Sequence, residues 1–178
     1  EGVERNSQNI IEQNKNNKLL LNTKISSITS VRKKIKIEYD QSYETFDKII
    51  MATHPDQTLK LIKDLDKNTT EILSKFRYQK NNVILHSDPI TMPSNAKTWS
   101  SWNYLSNKHG NSSTTYWMNK LQDLNTSLNV FVSLNPFKMP KKSLIHDNII
   151  YEHPIFNYNT NQAQMKMSDI QGKNNIYY

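Results

Sequence analysis

The sequence predicts a mixed α/β fold in which a strand meander leads into helices and then into an antiparallel sheet. Three observations predict it. Residues 18–52 carry short extended apolar runs, with Ile35, Ile37 and Tyr39 in strict alternation. Two stretches with helix-start chemistry follow, Thr53-His54-Pro55-Asp56 and Asn68-Thr69-Thr70-Glu71. From Tyr78 the pattern turns to β, around an aromatic hairpin at residues 99–122 that holds Trp99, Trp102 and Trp117.

Taken in order, Ser7 can cap a short helix through Ile10, Ile11 and Glu12. Leu19-Leu20-Leu21, Ile25, Ile28 and Val31 read as partly buried extended chain. Asp40-Gln41-Ser42 is a turn, and Tyr43, Phe46 and Ile49-Ile50-Met51 form one further strand. Leu59, Ile62 and Leu65 give the first helix its apolar face; Ile72, Leu73 and Phe76 do so for the second. Strands are expected at 82–86, 99–105, 113–121, 130–134 and 149–156, the last at a sheet edge because of His153-Pro154. Residues 160–171 read as helical and 174–178 as a strand.

Composition removes several function classes. The net charge is +7, but the positive charge is almost all lysine, spread along the chain, with arginine only at Arg5, Arg32 and Arg77. A nucleic-acid surface needs a clustered basic face, so no nucleic-acid partner is expected. There is no cysteine, hence no disulfide, thiolate metal site or cysteine nucleophile; this fits a reducing, cytoplasmic setting. No apolar run is long enough to span a bilayer. The three glycines, Gly2, Gly110 and Gly172, are too dispersed for a phosphate loop. The chain starts at Glu1 and ends on an apolar Ile176-Tyr177-Tyr178, which reads as an internal piece of a longer protein.

The five histidines, His54, His86, His109, His146 and His153, lack metal-ligand spacing, so no metal is expected. No glycine-flanked serine elbow and no acid pair stands out, and the catalytic residues stay unassigned. The aromatic hairpin remains. Strand alternation puts large aromatics on both of its faces. One reading packs both faces into the fold, with each indole N–H finding an acceptor. The other has one face lining a pocket, with Trp102, Asn103, Tyr116, Trp117 and Asn119 as its candidates. His153, on a neighbouring strand, could join them.

The order of motifs resembles the flavin-containing amine oxidase superfamily, in particular the bacterial group described as predicted NAD/FAD-binding proteins. The matching stretches are FDKIIMATHPDQTLKLI from Phe46, VILHSD from Val83, MPSNAKTWSSWNY from Met92, TYWMNKLQ from Thr115, FVSLNP from Phe131, YEHPIF from Tyr151 and AQMKMSDIQGKNNIYY from Ala163. The resemblance implies a Rossmann-like FAD domain interrupted by a substrate domain with an antiparallel sheet and helices. On that reading residues 1–58 belong to the FAD domain, 59–156 to the substrate domain, and 157–178 return to the first. It implies main-chain contacts to FAD at Lys24 and Ile25 and at Ala52 and Thr53. The implied activity is hydride transfer from a small-molecule or lipid-like organic substrate to flavin. The family's GxGxxG fingerprint would lie upstream, its C-terminal glycine-rich motif would begin just past Tyr178, and Arg5-Asn6 stands where a glycine pair is expected. The alternative is a non-catalytic binding module with an aromatic sheet. Oligomeric state is left open.

Overall fold

The computed structural model describes residues 18–178. The short helix expected from Ser7 to Glu12 lies outside the described residues. The chain divides into two compact units: one runs to Phe76 and resumes at Asn157–Tyr178, the other is Arg77–Phe156. Both are mixed or antiparallel β structures with few helices, as the sequence predicts.

The first unit opens with a meander of β1 (Ile25–Val31), β2 (Lys34–Tyr39) and β3 (Ser42–Phe46), antiparallel in that order. Both connections are two-residue turns in the left-handed region, with φ of 49° and 67° at Arg32 and Lys33, and 44° and 64° at Asp40 and Gln41. That is the geometry whose twist matches a hairpin. Alternation buries Ile28 and Ile35 on the inner face. Leu19, Leu20 and Leu21, expected to be partly buried, are exposed and precede the sheet.

The single strand expected over Tyr43–Met51 is two. β3 completes the meander, the chain breaks at Asp47-Lys48, and β4 (Ile49–Ile50) leaves to pair in parallel with β10 (Ile176–Tyr177). The Met51 N–H extends that pairing by donating to Tyr177 O at 2.8 Å. α1 (Pro55–Leu61) starts on Pro55, as predicted, after His54. α2 (Lys67–Ser74) is capped by Asp66 rather than by a box on Asn68. The Asp66 carboxylate accepts from the Thr69 hydroxyl at 2.7 Å and from the Thr69 N–H at 2.9 Å, and these bonds hold its pKa below the usual carboxylate value. An aspartate at this position satisfies helix-start donors that a later cap would leave open.

Two apolar clusters hold this unit. Ile28, Ile35, Met51, Ile62 and Ile176 form one. Ile72 and Leu73 of α2, with Ala163 and Ile170, form the other. Ala163 lies on α4 (Tyr158–Met165) and Ile170 on the 3-10 turn Met167–Ile170 that follows it. The end of α1 and all of α2, which lie beyond residue 58, fall within the first unit.

The second unit is a five-stranded antiparallel sheet in the order β6-β7-β8-β5-β9. Its strands are β5 (Tyr78–His86), β6 (Trp102–Ser106), β7 (Ser112–Trp117), β8 (Phe131–Leu134) and β9 (Ile145–Pro154). β9 is an edge, in keeping with its Pro154. The hairpin is shorter than its aromatic pattern suggests. Trp99–Ser101 lie before the strand, and Met118–Leu121 form a short helix, α3. Asn119 causes the second change. Its amide donates to Leu128 O at 2.8 Å and accepts from Val130 N at 2.7 Å, folding the chain back where a strand would run on.

Candidate functional site

The register of the sheet sorts its side chains into two faces with different chemistry. On one face Ile84 stands beside Ser133, Thr115 and Asn103, and His86 beside Phe131 and Trp117. This face is closed. His86, Thr115, Ser133 and Phe131 are fully buried.

Its interior is unusually polar, and the groups around His86 bond to one another. The Asp88 N–H donates to His86 Nδ1 at 3.2 Å, so Nε2 carries the proton and donates to Ser133 Oγ at 2.8 Å. Ser133 Oγ in turn lies 2.7 Å from Thr115 Oγ1 and 3.1 Å from Thr91 Oγ1. Burial pushes the His86 pKa below its ordinary value. The Asp88 carboxylate accepts from Lys141 N at 2.9 Å and Ile90 N at 3.0 Å, and is held below its ordinary value chiefly by the Lys141 N–H. A serine, a histidine and an aspartate are thus close together, but the aspartate serves two loops and the serine has no route to solvent. The group stabilises the fold; it is not a nucleophile relay.

The other face is open. Trp102, Tyr116, Val132 and Leu85 lie in one row across four strands. Tyr104, Thr114, Leu134 and Val83 form the next. Trp102 and Tyr104 are each 60% exposed, and Tyr151 on β9 is 51% exposed. At the β9 end, Val83, Leu85, Val132, Asp147, Ile149 and Tyr151 line a cavity of about 200 Å³. This exposed aromatic stack is the candidate site of the second unit.

The five hairpin residues singled out in the sequence are divided between these environments. Trp102 and Tyr116 face each other on the open side. Asn103 and Trp117 stand on the closed side. The Asn103 amide spans Ser100, donating to its carbonyl at 3.0 Å and accepting from its N–H at 3.1 Å. Trp117 donates to Asn129 Oδ1 at 3.2 Å and meets the Trp99 ring edge-on at 5.4 Å. Trp99 donates to Pro93 O at 2.8 Å, so both inner indoles have acceptors. Asn119 serves its own loop. Residue types alone missed Leu85, Val132 and Tyr151; the alternation of 83–85 and 149–151 is the signal that places them on one face. His153 does not line the cavity, and its Nδ1 accepts from the Asn81 amide at 2.9 Å.

In the first unit, Lys24 precedes β1 and Ile25 opens it; both are exposed, as are Ala52 and Thr53. The latter pair follows the carboxyl end of the parallel pair β4–β10, where open α/β sheets present main chain to ligands. Among the described residues no group of acids and histidines could hold a metal ion. No helix among them is long and apolar enough to cross a membrane.

No family model matches the chain, and no curated protein matches it. Solved structures do. One is a CLA-producing fatty acid isomerase from P. acnes, with TM-score 0.53 and 16% identity, covering 88% of this chain and 42% of that one. Another, from Exiguobacterium sp. 255-15, is described provisionally as a protoporphyrinogen oxidase, with TM-score 0.59 and 9% identity, covering 96% of this chain and 45% of that one. The chain thus spans under half the length of either structure. At these identities the likeness is one of fold, and the folds it joins are those of enzymes.

Proposed function

We propose that the chain is the middle portion of an FAD-dependent oxidoreductase of the amine oxidase and desaturase type. The observation that carries this reading is the open aromatic face of the second unit, on a fold shared with an isomerase and an oxidase. The ordered motifs from Phe46 to Tyr178 support it. Residues 77–156 then supply the substrate surface, and the first unit belongs to the FAD domain. The main chain at Lys24, Ile25, Ala52 and Thr53 would hold the adenine end of FAD. When bound, the flavin supplies the hydride acceptor.

The work left to this chain is to bind, orient and dry the substrate. Trp102, Tyr104, Tyr116, Leu85 and Val132 offer flat apolar area with few polar groups, which suits a lipid-like or other largely apolar organic molecule. Asn103, Trp117 and Asn119 set the shape of that surface from behind and beside it. The sheet presents no acid–base pair, and hydride removal to a cofactor requires none.

The test is to purify the protein from its complete reading frame. A yellow product with a flavin spectrum is expected, and Trp102→Ser should raise KM for the apolar substrate about ten-fold, the worth of roughly 1.4 kcal/mol of contact. A folded, colourless protein that takes up no added FAD overturns the proposal. If such a protein still bound apolar ligands through Trp102, the sheet would be a non-catalytic binding module.

A further inference from the structure

β9 has one side unused. Its inner edge pairs with β5 from Ile145 to Pro154, whereas among the described residues no strand pairs with its outer edge. Such an edge presents a row of backbone donors and acceptors that can template another strand. Edges are ordinarily blunted by lysine, proline or a bulge. Here the bulge falls at one end, between the partners of Leu85 and His86, and Pro154 falls at the other. Between them, Asp147–His153 reads DNIIYEH, with no lysine, glycine or proline, in a chain that carries 23 lysines and arginines. Ile150 is 58% exposed and Tyr151 51% exposed in the middle of that window.

The window is self-complementary. Two copies of a strand related by a two-fold axis normal to the sheet must pair residues of equal parity, because opposed side chains share a face. The register that uses all seven residues puts Ile150 opposite Ile150. It then sets Ile149 against Tyr151, Asn148 against Glu152 and Asp147 against His153, each twice. These are an aliphatic–aromatic pair, an amide–carboxylate pair and an acid–imidazole pair. Shifting the centre to Ile149 sets Asp147 against Tyr151; shifting it to Tyr151 sets Ile150 against Glu152. His153 is prepared for its partner. The Asn81 amide, oriented by its bond from Asn135 Nδ2 at 2.7 Å, occupies Nδ1 and leaves Nε2 as the donor.

We propose that Asp147–His153 pairs antiparallel with the same segment of a second copy, about a two-fold axis at Ile150, giving one ten-stranded sheet across the dimer. A closed two-fold contact of this kind uses up both exposed edges and cannot propagate. It also brings Tyr151 of the second copy against Ile149, which lines the open-face cavity, so that the cavity is completed across the axis.

Sedimentation of the intact protein tests this. The wild type is expected to dimerise, and Ile150→Lys, which sets two ammonium groups across the axis, to be monomeric with an unchanged circular dichroism spectrum. Asp147→Lys should weaken dimerisation on the order of ten-fold, through two unfavourable cross-strand pairs. The exchange Asp147→His with His153→Asp, which re-forms the acid–imidazole pair with its partners swapped, should dimerise as the wild type does. A monomeric wild type at about 100 µM, above the micromolar range of stable interfaces, overturns the proposal. So does a dimer indifferent to both Ile150→Lys and Asp147→Lys.

Discussion

His86 shows how a single residue can carry chemistry that is entirely structural. Its ring is sealed between Phe131, at 5.5 Å between centroids, and the hydroxyls of Ser133 and Thr115. Burial keeps it neutral, so the folded state takes up a proton less readily than the unfolded chain, whose histidines titrate near 6.5. The sign follows: stability is full above that value and falls as the pH drops through it, because protons then bind preferentially to the unfolded state. Melting temperature should decline from about pH 7 toward pH 5. His86→Gln should lower stability by the worth of a buried hydrogen bond, about 1–3 kcal/mol, while flattening that decline. Thermal melts across the range check both; an unaltered slope in the variant would assign the titration elsewhere. Nothing in the sequence distinguishes His86 from the other four histidines. Its environment is made by Ser133 and Thr115, 47 and 29 residues away along the chain, and only the strand register brings them together.

At the level of elements, alternation and helix-start chemistry were legible, and boundaries were not. Ile35 and Ile37 announce β2, and Pro55 announces α1, because those signals are local. Met118–Leu121 continues the aromatic pattern of β7 but becomes α3, because Asn119 bonds to residues nine and eleven positions ahead. Asp66 caps α2 in preference to Asn68 because its two oxygens satisfy both the N–H and the hydroxyl of Thr69. The meander adds a case in which sequence and geometry conflict. Both of its tight turns use left-handed residues without a glycine, Gln41 at φ 64° among them. A side chain costs about 1–2 kcal/mol in that conformation. Gln41→Gly should therefore stabilise the protein by about 1 kcal/mol despite the greater freedom glycine gives the unfolded chain. Equilibrium urea unfolding measures it, and a loss of stability would mean that Gln41 makes contacts worth more than the strain.

For the whole molecule, the resemblance in motif order and the likeness to solved structures point to the same fold through different information. At 9–16% identity the likeness to those structures is one of fold rather than of any one side chain. What motif order could not supply was the division of the hairpin between two faces, which depends on which residue sits opposite Thr115. The division into units leads to a separate expectation. Arg77–Phe156 is a continuous segment, and it holds its own core of Ile84, Met92, Phe131 and the His86–Ser133–Thr115 network. All five of its strands pair only with one another, so cutting at Phe76 and Phe156 breaks no strand pair. The first unit is made of two separated stretches, and its β4 loses its partner strand if residues 157–178 are removed. Expressed alone, residues 77–156 should give a β-type circular dichroism spectrum and a cooperative melt, with the marginal stability usual for so small a domain. Residues 18–76 alone should not melt cooperatively, because Ile28 and Ile72 would each lose part of the cluster that buries them. The opposite result, an unfolded 77–156, would mean that the polar core of the sheet cannot offset chain entropy without the rest of the protein.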